Sequence, residues 1–373
     1  MSYQSIDKLQ CLLGEHMFKH KKDPKKAAGR ALGTLVEIIT YYLLDAWGYR
    51  DCIAIETSLP EYGNNSITHN VEFTLHPMMD DKRMLSLPAS VSITSNRIAK
   101  VLGLEGVRTF TLLDKQGTQK NAGCLLSNKT MLSVVNFDGK KGNDIYLSIA
   151  NLHRKPFAMF ECKRVGVEEG LKKGPQTIEK AKQGAYVARM TSSLQKIWND
   201  QGERMGLVYK NTDPIIEPYD LLLWRIINQA DYAALLADFT LSVGMVSNHG
   251  NWFTSGNQNK ELRVLSQSYD WLLFLSDEGL STFISELLLS TSSGYEEIRK
   301  AFLDSYKEGK KANVFTKSKM DHMAHQQLHT FFRDNTDQIE RWFNVISPEG
   351  RSISELKEQL DVLRNKNWEE IIR

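Results

Sequence analysis

Residues 143–163 read NDIYLSIANLHRKPFAMFECK. Apolar side chains recur at both ends of this stretch, and a polar segment at residues 151–155 separates them. Short apolar runs on either side of a polar turn predict two neighbouring β-strands. Asp144 opens the first strand, while Glu161 and Lys163 lie two apart on the second and therefore leave it on the same face. We expect Asp144, Glu161 and Lys163 to meet around one point.

Two carboxylates and an ammonium around one point suit the hydrolysis of a phosphate ester. Carboxylate oxygens of Asp144 and Glu161 are the ligands that Mg²⁺ prefers, and this ion keeps several waters of its own. The Lys163 ammonium can orient an attacking water and offset charge that develops on the phosphate. The alternative is a surface hairpin, in which an exposed Glu161–Lys163 ion pair contributes less than about 1 kcal/mol.

The pattern of Asp144, Glu161 and Lys163 resembles the PD-(D/E)xK nucleases, the superfamily of most type II restriction endonucleases. In that family an Asp at the start of one strand and a (D/E)-x-K on the next hold Mg²⁺ beside the scissile phosphate. Asn143 stands where the family often has proline, a residue that ligates nothing. The resemblance implies a restriction-endonuclease-like α/β core, with a mixed β-sheet flanked by α-helices. It also implies that Asp144 and Glu161 are metal ligands and that Lys163 orients the attacking water.

A buried helix is predicted upstream, because residues 31–47 are apolar nearly all round. One side of this helix nevertheless carries polar residues at helical spacing, namely Arg30, Thr34, Glu37 and Tyr41. A glutamate is rarely buried without a partner. The family often places a Glu on its first core helix, so the resemblance makes Glu37 a catalytic candidate and a third metal ligand. A structural ion pair with an arginine such as Arg30 is the alternative.

A second helix is predicted over residues 177–198, where apolar residues keep helical spacing on one side. Gln183 and Tyr186 lie on the polar side. The resemblance lets this face reach the metal site or the DNA backbone, and it makes Gln183 a further catalytic candidate. An ordinary amphipathic helix is the alternative.

The remainder of the chain predicts additional, mostly helical C-terminal segments. Helical spacing covers residues 221–241, 282–289, 322–344 and 353–364, and a strand at residues 269–275 can close the core sheet. We expect a nuclease core with DNA-recognition insertions at residues 1–300 and a helical segment at residues 301–373, or one domain throughout.

Three histidines, His322, His325 and His329, share one face of the predicted helix at residues 322–344. A zinc site is one interpretation. The chain has no cysteine nearby and no HExxH pattern, which favours a DNA-facing or solvated helix.

Composition limits the class of protein. The chain has 373 residues, of which 41% are hydrophobic and 25% charged, as in globular proteins. No apolar run reaches transmembrane length, and four scattered cysteines without a CxxC pattern favour a reduced, cytoplasmic protein. The formal net charge is only +2, but lysines cluster at residues 307–319, which indicates either a phosphate-binding or a solvated surface. Gly-rich phosphate loops are absent from the sequence, which argues against an ATP-driven motor or a nicotinamide enzyme.

These observations, with the resemblance, predict a cytoplasmic, Mg²⁺-dependent endonuclease that cleaves double-stranded DNA at specific sites. A symmetric DNA site is most simply cut by a homodimer, and no membrane partner is expected. Two alternatives stay open, a structure-specific or repair nuclease and a non-catalytic DNA-binding protein on a relict nuclease core.

Overall fold

The structure, a computed structural model, describes most of the chain. The described residues are 6–57, 70–90, 92–103, 111–113, 118–120, 124–127, 132–165, 186, 192–248, 260–291, 294–309 and 313–372. Within these ranges no helix is both long and apolar enough to cross a membrane.

The described strands and helices are numbered along the chain. The strands are β1 (Ile53–Thr57), β2 (Val71–Leu75), β3 (Arg83–Pro88), β4 (Ile93–Thr94), β5 (Thr111–Leu113), β6 (Thr118–Lys120), β7 (Cys124–Ser127), β8 (Leu132–Lys141), β9 (Asp144–Leu152), β10 (Ala158–Val165), β11 (Gln195–Trp198), β12 (Arg204–Lys210), β13 (Asp213–Pro218), β14 (Leu241–Asn248), β15 (Trp271–Leu275), β16 (Lys319–Asp321) and β17 (Phe343–Ser347). The α-helices are α1 (Ile6–His16), α2 (Pro24–Ala46), α3 (Ser95–Leu102), α4 (Tyr219–Asn228), α5 (Lys260–Ser268), α6 (Asp277–Phe283), α7 (Glu296–Tyr306), α8 (His322–Asp334), α9 (Thr336–Glu340), α10 (Ile353–Arg364) and α11 (Trp368–Ile371). Short 3₁₀ turns lie at Arg50–Cys52 and Ala230–Ala237, and a π-helical turn at Ile284–Leu289 follows α6.

A six-stranded mixed sheet forms the centre of the molecule, in the order β1-β2-β10-β14-β15-β17. β1, β2 and β10 run antiparallel, β10, β14 and β15 run parallel, and β17 closes the edge antiparallel to β15. All five residues of β15 are buried, as expected for an inner parallel strand that is covered on both faces. The strand predicted at residues 269–275 therefore does join the core sheet.

Helix α2 covers one face of the central sheet. Pro24 occupies its first turn, and the Asp23 carboxylate accepts the Lys26 N–H at 2.9 Å, which caps the helix. Its apolar residues belong to the main core with β10, β14 and α8. On the other face, Leu265 of α5 and Tyr269 pack against Met159 and Val246. The predicted class, a mixed α/β protein whose sheet is flanked by helices, is confirmed.

A second sheet, in the order β3-β9-β8-β7, is inserted between β2 and β10. Leu75 pairs with Ala158, so the chain leaves the core and returns to it at adjacent points. The two strands predicted within residues 143–163 are present as β9 and β10. They do not form a hairpin, because β9 pairs with β3 and β8 while β10 pairs with β2 and β14.

Several helix boundaries differ from the prediction. The helical segment predicted at residues 221–241 is helix α4, which ends at Asn228, and a 3₁₀ turn, and Leu241 already begins β14. Residues 195–198 form strand β11, which pairs with β12, and the rest of the predicted helix at 177–198 lies almost entirely outside the described residues. The helix predicted at 322–344 ends earlier, and its last residues begin β17. The C-terminal segment 301–373 therefore contributes an edge strand to the central sheet, whereas helix α10 has the predicted bounds.

Candidate functional site

The candidate site lies where strands β2 and β10 diverge. Their pairing covers Ala158 to Phe160, opposite Leu75 to Phe73. Beyond this pairing, the Cys162 N–H donates to the Glu72 carboxylate, with 2.5 Å between nitrogen and Oε2. The Glu72 carboxylate therefore accepts a backbone N–H of β10, in place of a backbone carbonyl. Glu72 itself is buried.

Glu161 and Lys163 stand on β10 beside Glu72. Glu161 is 1% exposed, and the Lys163 Nζ lies 3.4 Å from its Oε2, so the expectation that both leave one face is met. Burial by itself lowers the pKa of Lys163. The carboxylates of Glu161 and Glu72 outweigh burial and hold that pKa above its ordinary value. Lys163 is therefore a charged ammonium at the edge of this buried acidic pair.

A second lysine, Lys317, lies among three glutamates at the same site. Its Nζ is 3.1 Å from Glu37 Oε2 and 3.3 Å from Glu56 Oε1. A third distance, 3.6 Å, joins it to Glu72 Oε1. Helix α2, strand β1, strand β2 and the loop before β16 each supply one of these four residues. Glu72 thus belongs to two groups of charges, one around Lys317 and one with Glu161 and Lys163.

The backbone of Glu56 is held in the left-handed region, at φ 50°. Ile55 pairs with Phe73 and Thr57 with Val71, so Glu56 lies opposite Glu72 in the register of β1 and β2. A non-glycine residue in this conformation costs on the order of 1–3 kcal/mol and persists only where its surroundings impose it. Here the residue delivers its carboxylate to Lys317.

Glu72 is the most strongly perturbed carboxyl of the cluster. Its pKa is raised to about 7, chiefly by burial; Lys317 and Lys163 oppose the rise, and the carboxylates of Glu37 and Glu161 add to it. With every group ionised, the four glutamates exceed the two lysines by two negative charges. This excess is the charge that one divalent cation would balance.

The carboxylates of the cluster differ in how well they are placed to bind a metal ion. Glu72 and Glu161 offer the carboxylate oxygens that Mg²⁺ prefers, in the part of the cluster with excess negative charge. Among the described residues there is no group of three or more His, Cys, Asp or Glu side chains placed to hold a metal ion. Glu37, Glu56 and Glu72 are gathered around an ammonium instead. Glu72 and Glu161 are the residues that could hold a divalent ion, whose remaining positions water or substrate oxygens would complete.

Asp144 is not part of the cluster, contrary to the sequence-based expectation. It starts β9 in the second sheet, is exposed, and pairs with Pro88 and Lys141. The physical reason is that β9 and β10 belong to different sheets, so the far end of β9 points away from Glu161. The acidic residue on the strand that does adjoin β10 is Glu72.

The other predicted residues have different outcomes. Glu37 does lie in the cluster with Glu161 and Lys163, and its ion pair is with Lys317 rather than with Arg30. Gln183 lies outside the described residues, so its role stays a prediction. Tyr186 is described only as an exposed helical residue.

The three histidines of α8 each have a separate contact. His325 is buried and its Nδ1 lies 2.8 Å from the Tyr42 hydroxyl. His329 pairs with Asp45 at 2.7 Å, and the His322 ring lies edge-on to Phe137. His325 and His329 join α8 to α2. Neither the zinc site nor the DNA-facing or solvated helix that the sequence suggested includes this role.

Sequence reasoning missed Glu72, Glu56 and Lys317. A usable signal existed for Glu72, because it is the charged residue within the short apolar run at residues 71–75. Lys317 gave none, since it belongs to a lysine-rich stretch that reads as a solvated or phosphate-binding surface. Comparison with known proteins adds no assignment, because no family model, curated protein or solved structure matches this chain.

Proposed function

We propose that the protein is a Mg²⁺-dependent endonuclease that cleaves double-stranded DNA at specific sites. The observation that carries this proposal is the meeting of Glu72, Glu161 and Lys163 where β2 and β10 diverge. The arrangement resembles that of the PD-(D/E)xK nucleases, with an acid on one core strand and E-x-K on its neighbour. In this proposal Glu72 takes the position that the sequence pattern had assigned to Asp144.

Glu72 and Glu161 would hold the metal in this mechanism. Bound Mg²⁺ would supply charge to the phosphate and acidify a water. Lys163 then orients the attacking water and stabilises the negative charge that builds up on the phosphate oxygens. Burial of Glu161 and Glu72 strengthens these interactions, because a low dielectric environment screens charge weakly. Glu37 acts beside them by fixing Lys317.

The topology of the central sheet also supports a nuclease core. The six-stranded mixed sheet provides antiparallel β1, β2 and β10 followed by parallel β14, and α2 brings a glutamate to the same edge. The resemblance to type II restriction endonucleases extends the proposal to site-specific cleavage of both strands by a cytoplasmic homodimer.

A second candidate function is favoured by Lys317. An ammonium among three glutamates is also what a relict nuclease core would carry, if the site had lost its metal and kept DNA binding. Such a protein would bind double-stranded DNA without cutting it.

One digest separates the candidates. Plasmid and phage DNA are incubated with the full chain and Mg²⁺, with Lys163→Ala as the matched inactive control. Discrete, reproducible bands that are lost in the control support the proposal. A smear, or cutting only of branched or damaged DNA, favours a structure-specific or repair nuclease. Tight binding with no cutting in Mg²⁺ or Mn²⁺ favours the relict core.

A further inference from the structure

Lys317 is distant in sequence from the other charged residues of the site, although it contacts them in the fold. Phe315 is fully buried, and its N–H donates to the Ser305 Oγ at 3.0 Å. The Thr316 N–H donates to the Lys319 carbonyl at 2.8 Å, which closes a tight turn around Lys317. The ammonium is therefore delivered by a folded segment with fixed ends, rather than by a free side chain on the surface.

The surroundings keep Lys317 charged. The residue is 5% exposed, and burial of an ammonium is costly unless it is paired. Burial favours the neutral amine, but the carboxylates of Glu72, Glu37 and Glu56 outweigh it and raise the pKa of Lys317 above its ordinary value. Lys317 is thus a buried ammonium paired with three carboxylates.

We propose that Lys317 takes the place of a second metal ion, so that the chain binds one divalent cation, held by Glu72 and Glu161. This inference rests on the proposed function. Its ammonium lies within 3.6 Å of the carboxylates of Glu37, Glu56 and Glu72, and so occupies the position that a second ion bound by these residues would need. The excess of two negative charges that remains with Lys317 present is neutralised by one divalent ion and exceeded by two.

Two-metal phosphodiesterases use paired ions to stabilise both the attacking and the leaving oxygens. In this chain the Lys317 ammonium supplies one unit of that charge from a fixed position. The competing possibility is that metal binding expels Lys317, after which Glu37 and Glu56 would serve as ligands. The two cases differ in how many ions each chain takes up.

The test is the stoichiometry of metal binding, measured by titration calorimetry of the full chain with Mn²⁺ in the absence of DNA. The parent protein should bind one ion per chain. Lys317→Met, folded as judged by circular dichroism, should bind two. Lys319→Met is the matched control, because it removes a nearby lysine on β16 without touching the three glutamates, and it should still bind one.

A second variant keeps the test decisive if Lys317→Met does not fold. Glu56 is half exposed and its carboxylate contacts Lys317. Glu56→Gln should therefore leave the stoichiometry at one and change the affinity by less than about threefold. A parent that binds two ions, a folded Lys317→Met that binds one, or a large loss of affinity in Glu56→Gln would overturn the inference.

The proposed function is scored separately, by cleavage. A parent that binds one ion but never cuts DNA refutes the nuclease proposal and retains the single-ion site. A parent that cuts DNA while binding two ions retains the nuclease and refutes the role of Lys317. A parent that binds no ion refutes the single-ion site, and the digest still decides the nuclease proposal.

Discussion

Glu72 is held at the site by backbone as well as by charge. Its Oε2 accepts the Cys162 N–H, and its Oε1 faces Lys317. A carboxylate oxygen has two lone pairs, so each can also ligate a cation. Replacing the carboxylate by an amide preserves size and one hydrogen-bond acceptor, but it removes a negative charge and weakens the donor to a metal.

A matched pair of substitutions therefore decides which acid serves the reaction. We expect Glu72→Gln to lower the cleavage rate at least about a hundredfold, or about 2.7 kcal/mol. Asp144→Asn, on the exposed end of the second sheet, should cut within about twofold of the parent. Initial rates on a plasmid with one cut site measure both. Loss of activity in Asp144→Asn with normal activity in Glu72→Gln would return the assignment to the sequence-based one.

His76 gives a prediction about stability and pH. It is 1% exposed, with Nε2 2.8 Å from the Thr74 hydroxyl and Nδ1 3.0 Å from the His153 carbonyl. Burial lowers the pKa of His76 to about 4 from 6.5. The unfolded chain therefore takes up the proton first as pH falls, and stability is lost from about pH 6.5 down to about pH 4.

The expected loss is on the order of 3 kcal/mol in the free energy of unfolding. Urea unfolding at several pH values measures it. His76→Gln has no titrating group at this position, so its stability should fall less steeply over the same interval. Equal slopes for the parent and this variant would show that His76 titrates normally in the folded protein.

At the scale of elements, the sequence predicted those whose periodicity is local. Helix α2 is apolar nearly all round, and α10 begins with a capping box at Ser352 and Glu355, so both follow from neighbouring residues. Strands β9 and β10 were also predicted, but the prediction that they are neighbours was wrong. Pairing depends on distant partners, and a short polar turn between two apolar runs suits a hairpin as well as a crossing between sheets.

Glycines in two helices give opposite expectations. A Cβ added at Gly279 in α6 would overlap the Cβ and ring of Trp342, whereas at Gly33 in α2 it would meet only Arg164 Cδ at 3.9 Å. Overpacking costs about 1–3 kcal/mol, while alanine in a helix interior is favoured over glycine by about 0.8–1 kcal/mol. Gly279→Ala should melt below the parent, and Gly33→Ala at or above it.

Calorimetric melting of the two glycine variants measures the difference. A Gly279→Ala protein as stable as the parent would mean that Trp342 has room to move. A destabilised Gly33→Ala would show that Arg164 packs more closely on α2 than the 3.9 Å separation implies.

At the scale of the whole molecule, the second sheet is an insertion at the end of a core hairpin. Strands β2 and β10 pair at Leu75 and Ala158, and the described strands between these residues lie outside the central sheet. A single sequence does not show this, because strands of the insertion and strands of the core have similar composition. The candidate site was therefore predicted in part. Glu161, Lys163 and Glu37 lie on core elements and do belong to the cluster, whereas Asp144 lies in the insertion and does not.

Arg50 joins the two sheets. Its guanidinium donates to the Phe137 carbonyl at 2.8 Å and lies 3.0 Å from Asp138 Oδ1, both on β8. The neighbouring Asp51 accepts from Asn136 at 2.8 Å. Arg50 itself lies at the start of the short turn that leads into β1. These contacts help to fix the second sheet relative to the core, as does the ring contact between Phe137 and His322. The carboxylate cluster depends on core elements and on the segment that carries Lys317.

We therefore expect Arg50→Ala to loosen the second sheet and to leave the site intact. Hydrogen exchange should show amides of β8 and β9 losing about 1–3 kcal/mol of protection, since a buried acceptor and Asp138 lose their donor. Amides of β10 and β14 should keep theirs, and Mn²⁺ affinity should stay within about twofold. Arg83→Ala is the control, because its ion pair with Asp80 is largely exposed and contributes little. Equal loss of protection in β8 and β14 would instead show that the two sheets open as one cooperative unit.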